Sequence, residues 1–326
     1  MKLGIIGSYG HVGVVLDGLA GAGVELVAVA PWGPEDKLPF LSRLERPPAV
    51  HDDWRRLLDD VAPDVVAVFT PLYRLAEASL AAVGAGAHVF SEKPLATEAD
   101  DLARLREAAA AAGVHVGACF TARGEPAFRA IRAAVAAGRI GTPLCATAQK
   151  SYPFAARDEF YRSRRTYGGS IPWQAIHALD YVSWCAGQDY RRVAAVGSNL
   201  AHPSHPGMED QGGILAELSG GGAVTINFDY LRPWGRSPRP WGDDRLRIAG
   251  SDGVVEAREA ASAAELLTPD AAELLPLEPP RNIFADWCVA LAGRGPWPVT
   301  TAESFRITEV ALAAREAQDT QTWVQV

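Results

Sequence analysis

Several short stretches of this chain hold residue types that do chemistry. GIIGSYGHVG (4–13) spaces Gly7, Gly10 and Gly13 three apart. Glycines so placed at a strand–helix junction make a tight turn, admit a pyrophosphate to backbone N–H groups, and aim a helix N-terminus at its charge. SEKPLA (91–96) puts Lys93 directly before Pro94, and a residue before proline is pushed towards extended backbone. That presents an ammonium at a strand end, where open α/β sheets bind ligands. GGSIPWQAIHALD (168–180) holds His177, an imidazole able to give or take a proton near neutral pH. Trp173 lies four residues earlier, so a helix puts both on one face. An indole cannot transfer a proton. Its flat face and single N–H suit a sugar ring, an aromatic substrate or a nicotinamide, and equally a packed core. Gln174 is polar but not a base, and Asp180 stands where it can orient the helix or cap a neighbour. Tyr161, Arg162, Arg164, Arg165 and Tyr167 are suited either to gripping an anionic or polyol substrate or to forming a solvated face. His202 and His205, with Glu209 and Asp210, have ligand types but follow a strand in Pro/Gly-rich sequence. They read as a solvated loop, and no metal is expected.

The elements that must position these groups fall into two series. KLGIIG (2–7), VELVAVA (24–30), DVVAVFT (64–70), AHVFSE (87–92) and VHVGACF (114–120) are short apolar strands, separated mostly by Ala- and Leu-rich helical patterns. That alternation predicts a doubly wound parallel sheet, a Rossmann α/β domain over 1–120. After residue 120 come a helix at about 125–138, a strand near 143–150 and a helix over 171–186. Strands at 191–199, 213–219, 223–231, 244–250 and 253–258 follow, joined by Gly-rich turns. These spacings predict a second α+β domain over 121–326, with a large and mostly antiparallel sheet. Helices at about 283–293 and 302–317 close the chain. The stretch RPWGRSPRPWGDD (232–244) is expected to be a long surface loop. Dinucleotide folds usually end the second strand near an acidic residue that holds the adenosine ribose. Here the strand runs into Pro31-Trp32-Gly33, Glu35 and Asp36 come late, and no arginine stands by for a 2′-phosphate. The choice between NAD and NADP stays open.

Composition excludes other classes. The 326 residues include 31 Lys+Arg against 39 Asp+Glu, a net charge of −8, which argues against a nucleic-acid or anionic-membrane surface. No apolar run approaches the roughly 18 residues a membrane span needs. The four cysteines are scattered with no CxxC pair, and no signal-peptide pattern opens the chain, so a reducing, cytoplasmic setting is expected.

The glycine turn, the EKP at 92–94 and the GG…HALD at 168–180, in that order, resemble the Gfo/Idh/MocA oxidoreductase family. Thr70-Pro71 and AESFRITEVALAAREA (302–317) match as well, so the resemblance covers nearly the whole chain. It implies an NAD- or NADP-dependent dehydrogenase or reductase acting on a sugar, polyol or related compound, with the active site between the two domains. It also implies homo-oligomers built through the C-terminal sheet. The implied cofactor contacts are Gly7, Ser8, Tyr9, Gly10, His11, Val12, Thr70, Pro71, Glu92 and Lys93. The implied catalytic pair is Lys93 and His177, with Tyr161, Trp173 and His177 on the substrate. Many dehydrogenases of the family carry an aspartate four residues before the histidine, where this chain has Trp173. A non-catalytic dinucleotide or metabolite sensor, or a cofactor-retaining glycosidase-type enzyme, would share the same fold.

Overall fold

The computed structural model describes residues 1–233, 241–258 and 263–326. Residues 234–240 of the expected surface loop lie outside them. The chain divides into two compact units, Met1–Thr121 with Asn282–Thr308, and Ala122–Arg281 with Glu309–Val326.

In the first unit the β-branched runs become parallel strands β1 (Lys2–Ile6), β2 (Glu25–Ala30), β3 (Ala49–Val50), β4 (Val65–Val68), β5 (His88–Ser91) and β6 (Val116–Ala118). Their order is β3-β2-β1-β4-β5-β6, with β3 a short edge strand that the sequence pattern did not reveal. Helices α1 (Val12–Ala22), α2 (Trp54–Val61), α3 (Leu75–Gly84) and α4 (Ala99–Ala112) make the crossovers. Leu3, Ile5, Ile6 and Val65 through Val68 are fully buried, as strands covered on both faces must be.

In the second unit α5 (Pro126–Ala136), with Pro126 in its first turn, precedes β7 (Pro143–Ser151). The short α6 (Arg164–Tyr167) and then α7 (Ile176–Ala186) lead to β8 (Tyr190–Ser198), β9 (Gln211–Leu218), β10 (Ala223–Asp229), β11 (Asp243–Gly250), β12 (Val254–Ala257), β13 (Glu265–Leu267) and β14 (Ala272–Leu274). With the terminal β15 (Val324–Gln325) these form one sheet among the described residues, in the order β14-β13-β12-β11-β7-β10-β9-β8-β15. Its pairs are antiparallel except β7 with β10, which run parallel with Cys145 opposite Ala223 and Ser151 opposite Asp229. The C-terminal ends of β7 and β10 therefore lie side by side. Burial alternates along β10, placing Val224, Ile226 and Phe228 on the covered face and Thr225 and Asn227 on the other.

Residues 282–308, which the sequence pattern assigns to the second domain, pack instead within the first unit. They form α8 (Ile283–Leu291) and the start of α9 (Thr301–Thr320). The reason is specific docking. Asn282 caps α8 by accepting from Ala285 N (3.0 Å), and its Nδ2 donates to Val14 O on α1 (2.8 Å). Gly18 makes room, since a Cβ there would stand 2.4 Å from Asn282 Oδ1. At the far edge of the sheet, β6 donates Val116 N to Thr301 Oγ1 (3.1 Å) and Ala118 N to Ser304 Oγ (3.0 Å). Two hydroxyls thus satisfy a strand edge that would otherwise need another strand or water.

Candidate active site

The glycine turn is built by β1 and the ends of β2, β4 and β5 together. Gly7 N donates to Ala30 O (2.9 Å) and Tyr9 N to Phe69 O (2.8 Å), so the turn sits on the residue before Thr70-Pro71. Gly7 and Gly10 have φ of 84° and 64°, the left-handed region where glycine is favoured. A Cβ on Gly7 would stand 2.4 Å from Phe69 O, and one on Gly10 2.3 Å from Glu92 Oε1. The expected contacts from residue 7 to 12, Thr70-Pro71 and Glu92-Lys93 are therefore brought together around one turn. Gly13 is different: it lies in α1, where a Cβ would meet only Arg43 Nη1 at 3.9 Å.

Glu92 and Lys93 are buried at the end of β5, and the Lys93–Pro94 peptide is cis. Glu92 Oε1 lies 2.6 Å from His11 Nδ1, while Oε2 is buried with no hydrogen-bond partner among the described residues. The N-terminus of α1 has no side-chain cap and no acidic residue in its first turn, so its N–H groups face outward for an anion. Asp36, six residues past β2, is not late in space. It accepts from Ser8 Oγ (2.5 Å), Trp32 N (3.3 Å) and Leu38 N (3.0 Å), which folds its carboxylate back against the glycine turn. Left-handed glycines, an uncapped helix end, an orphaned buried carboxylate oxygen and a carboxylate beside Ser8 fit a dinucleotide.

In the second unit the stretch 168–180 enters its helix through a π-helical turn, Ile171–Ala175, before α7. Ile176 N donates to Ile171 O, five residues back. Trp173 is only 6 % exposed, and His177 is buried. Gln174 donates through its amide to Asp229 O (2.5 Å) and Lys150 O (3.2 Å), tying the turn to the ends of β10 and β7. Gln174 Oε1 is buried without a partner among the described residues. Asp180, on α7, receives Arg123 through Nε (3.0 and 3.1 Å) and Nη2 (2.7 Å), a buried bidentate pair.

The loop before that turn is an aromatic cluster. Tyr161 is buried with its ring 4.5 Å from that of Tyr167, and Tyr167 Oη lies 2.7 Å from Tyr230 Oη and 3.2 Å from Ser170 Oγ. Burial pushes the Tyr167 and Tyr230 phenols well up, so they stay protonated donors. Arg164 pairs with Glu209 and Asp319, and Glu209 also takes Ser170 N (2.7 Å). Arg162 pairs with Glu159 (3.4 Å). The solvated-loop reading of 202–210 holds only in part: Pro203, Ser204 and Pro206 are exposed. His205, Glu209 and Asp210 are buried, and Asp210 Oδ2 accepts the N–H groups of Leu200, Ala201 and His202. Sequence reasoning missed Arg157, Arg123 and Asn282. Only Arg157 stood near a stretch already singled out, four residues before the cluster that starts at Tyr161.

Residues 1–120 match the model of an oxidoreductase family with an NAD-binding Rossmann fold, and residues 128–256 match the Gfo/Idh/MocA C-terminal domain. An inositol 2-dehydrogenase of Pseudomonas syringae pv. syringae is 31 % identical over 270 residues, covering 79 % of this chain and 74 % of that protein. A 1,5-anhydro-D-fructose reductase of Ensifer adhaerens is 34 % identical over 180 residues, 51 % of this chain and 53 % of the reductase. A solved Thermotoga maritima structure described as an oxidoreductase superposes over the full length of both chains with a TM-score of 0.94 and 32 % identity. None of the helices among the described residues is long and apolar enough to cross a membrane. With both of its parts matched and its relatives aligned across most of their length, the chain belongs to the Gfo/Idh/MocA oxidoreductase family and is an NAD(P)-dependent dehydrogenase or reductase.

Proposed function

We propose that this enzyme interconverts an alcohol and a carbonyl on a sugar or polyol, preferring NAD to NADP. Glu92 carries the reading. It is a fully buried carboxylate with one oxygen on His11 and the other without a donor, set against the left-handed Gly10. An unpartnered buried acceptor costs about 1–3 kcal/mol, and a hydroxyl or amide of a bound dinucleotide relieves it. The relatives named for inositol and for 1,5-anhydro-D-fructose support the substrate class.

Bound nicotinamide supplies the hydride acceptor for oxidation and the donor for reduction. Lys93 holds the substrate oxygen and stabilises its negative charge through the ammonium. His177 takes the hydroxyl proton in oxidation and returns it in reduction. Trp173 forms a wall for the substrate, and Tyr161 belongs to the same pocket. Gly7 to Val12, Thr70 and Pro71 hold the cofactor, and Asp36 accepts from the adenosine ribose, where its charge repels a 2′-phosphate. Residues 1–120 act as the dinucleotide domain and most of 121–326 as the substrate domain. Titration calorimetry with NADH and NADPH tests this. NADH is expected to bind at least tenfold tighter, and Asp36→Ala to narrow the gap. No saturable binding of either would refute the oxidoreductase reading.

The outward face of the large sheet supports a homo-oligomer. Thr147, Thr225, Leu215 and Ala194 form one uncharged row across β7, β10, β9 and β8, with Leu215 44 % and neighbouring Val196 73 % exposed. Light scattering of Leu215→Glu, expected to be smaller than wild type, checks it. Four unbridged cysteines suit a cytoplasmic setting.

A further inference from the structure

Arg157 is the most unusual charge in the second unit. Its guanidinium carbon lies 4.8 Å from the ring centroid of Tyr230, 5.2 Å from that of Tyr161, and 5.7 Å from those of Tyr152 and Phe154. Four aromatic rings therefore surround one cation. Among the described residues no carboxylate lies within ion-pair distance of it. One Nη donates to Pro153 O (3.4 Å), and Nε is buried without a partner. Two residues before it stands Ala155, a non-glycine residue in the left-handed region at φ 51°. Arg157 is only partly buried, so the cage does not close it off from solvent completely.

Neutral rings soften the burial of a cation but do not neutralise it, and a guanidinium keeps in-plane N–H donors that match the two oxygens of a carboxylate. The cage is also next to the helix that carries His177. Tyr152 and Tyr230 directly follow β7 and β10, at the strand ends where Gln174 binds Asp229 O and Lys150 O. We infer that Arg157 is a specificity residue that receives a carboxylate of the substrate, so the enzyme acts on acidic sugars or polyols of the uronate or aldonate class. The inference rests on the hydride-transfer function proposed above.

The test compares matched pairs that differ at the carboxylate: D-glucuronate with D-glucose, and D-gluconate with D-glucitol. Binding to the full chain is measured by calorimetry with and without NADH. A charge-assisted fork is worth about 10- to 100-fold in affinity. The acid should bind that much tighter than its neutral partner, Arg157→Gln should abolish the difference, and Arg157→Lys should keep part of it. Thermal melts confirm that both variants fold; a residue that only supported the cluster would shift acid and neutral affinities alike. Equal binding of acid and neutral compound by the wild type, or a preference that survives Arg157→Gln, overturns the inference. So does a larger Arg157-dependent gain for D-glucose 6-phosphate, which would assign the site to phosphate. Because the comparison is also made without NADH, a failure of dinucleotide binding counts against hydride transfer and leaves the carboxylate result to be read separately.

Discussion

Two glycines of one motif should respond to alanine with opposite signs. At Gly10 a Cβ would stand 2.3 Å from Glu92 Oε1, 2.8 Å from Cδ and 3.3 Å from Cγ. An ordinary carbon contact is about 3.5 Å, so the whole carboxylate has to move by more than about 1 Å, out of a fully buried position. That breaks the contact with His11, a charge-assisted bond of about 1.5–3 kcal/mol. The left-handed backbone at φ 64° adds about 1 kcal/mol for a residue with a Cβ. Gly10→Ala should therefore destabilise the protein by about 3 kcal/mol. Gly13 lies in α1, where a Cβ would make only an ordinary contact with Arg43 Nη1, so Gly13→Ala should stabilise by about 0.5 kcal/mol. Urea unfolding of the cofactor-free protein, followed by far-ultraviolet circular dichroism, measures both. In a Glu92→Ala background the cost of Gly10→Ala should fall to the backbone part alone, about 1 kcal/mol. A Gly10→Ala cost unchanged in that background, or a Gly13→Ala variant less stable than Gly10→Ala, would refute the account of the turn.

Lys93→Met and His177→Ala should each lower kcat by about 100-fold or more, with NADH affinity little changed in His177→Ala; steady-state kinetics and calorimetry check both. Asp180→Ala should cost about 3–5 kcal/mol because it strands the buried Arg123 charge, whereas Arg123→Met with Asp180→Leu should cost far less in the same denaturation assay. Burial pushes the Glu209 carboxyl up, but Arg164, the Ser170 N–H and Gln318 outweigh it and hold it below the ordinary carboxylate range. A depressed carboxyl contributes stability above its unfolded value of about 4.3 and loses it as pH falls through the lower folded value. Melting temperature between pH 6 and 3 should therefore fall more steeply in wild type than in Glu209→Gln.

What the sequence made legible were features with a local physical signature. Buried parallel strands read as continuous β-branched runs, and Gly7, Gly10, Lys93 and His177 sit in short motifs. What it hid depends on the folded path. Asp36 looked displaced because residues were counted along the chain, whereas the bend at Pro31 to Pro34 returns its carboxylate to Ser8. Residues 282–308 looked like part of the second domain because Asn282 acts through one side chain in a gap left by Gly18. Asp210 read as solvated because a Pro/Gly-rich run is usually exposed. In the fold its carboxylate instead gathers three consecutive backbone N–H groups, of Leu200, Ala201 and His202, and is buried doing so. Arg157 had only its nearness to the Tyr161–Tyr167 cluster as a signal, since an alanine in left-handed backbone looks like any other alanine.

The indole at position 173 and the arginine at 157 belong to one argument. An aspartate four residues before the histidine can take its proton and fix its ring; Trp173 can do neither. The orientation of His177 must then come from the helix itself, and the structure pins that helix on both sides. Gln174 clamps the π-helical turn to the ends of β7 and β10, and Asp180 locks the following turn to Arg123. Position is thus secured without a carboxylate at residue 173, but a negative charge is not. Arg157 stands at the same strand ends with aromatic rings for neighbours and, among the described residues, no carboxylate within ion-pair distance. On the proposed reading an acidic substrate brings that charge with it. Its test is the pair of acidic and neutral ligands: if Arg157 supplies that site, the preference for the acid should survive Trp173→Phe and vanish in Arg157→Gln.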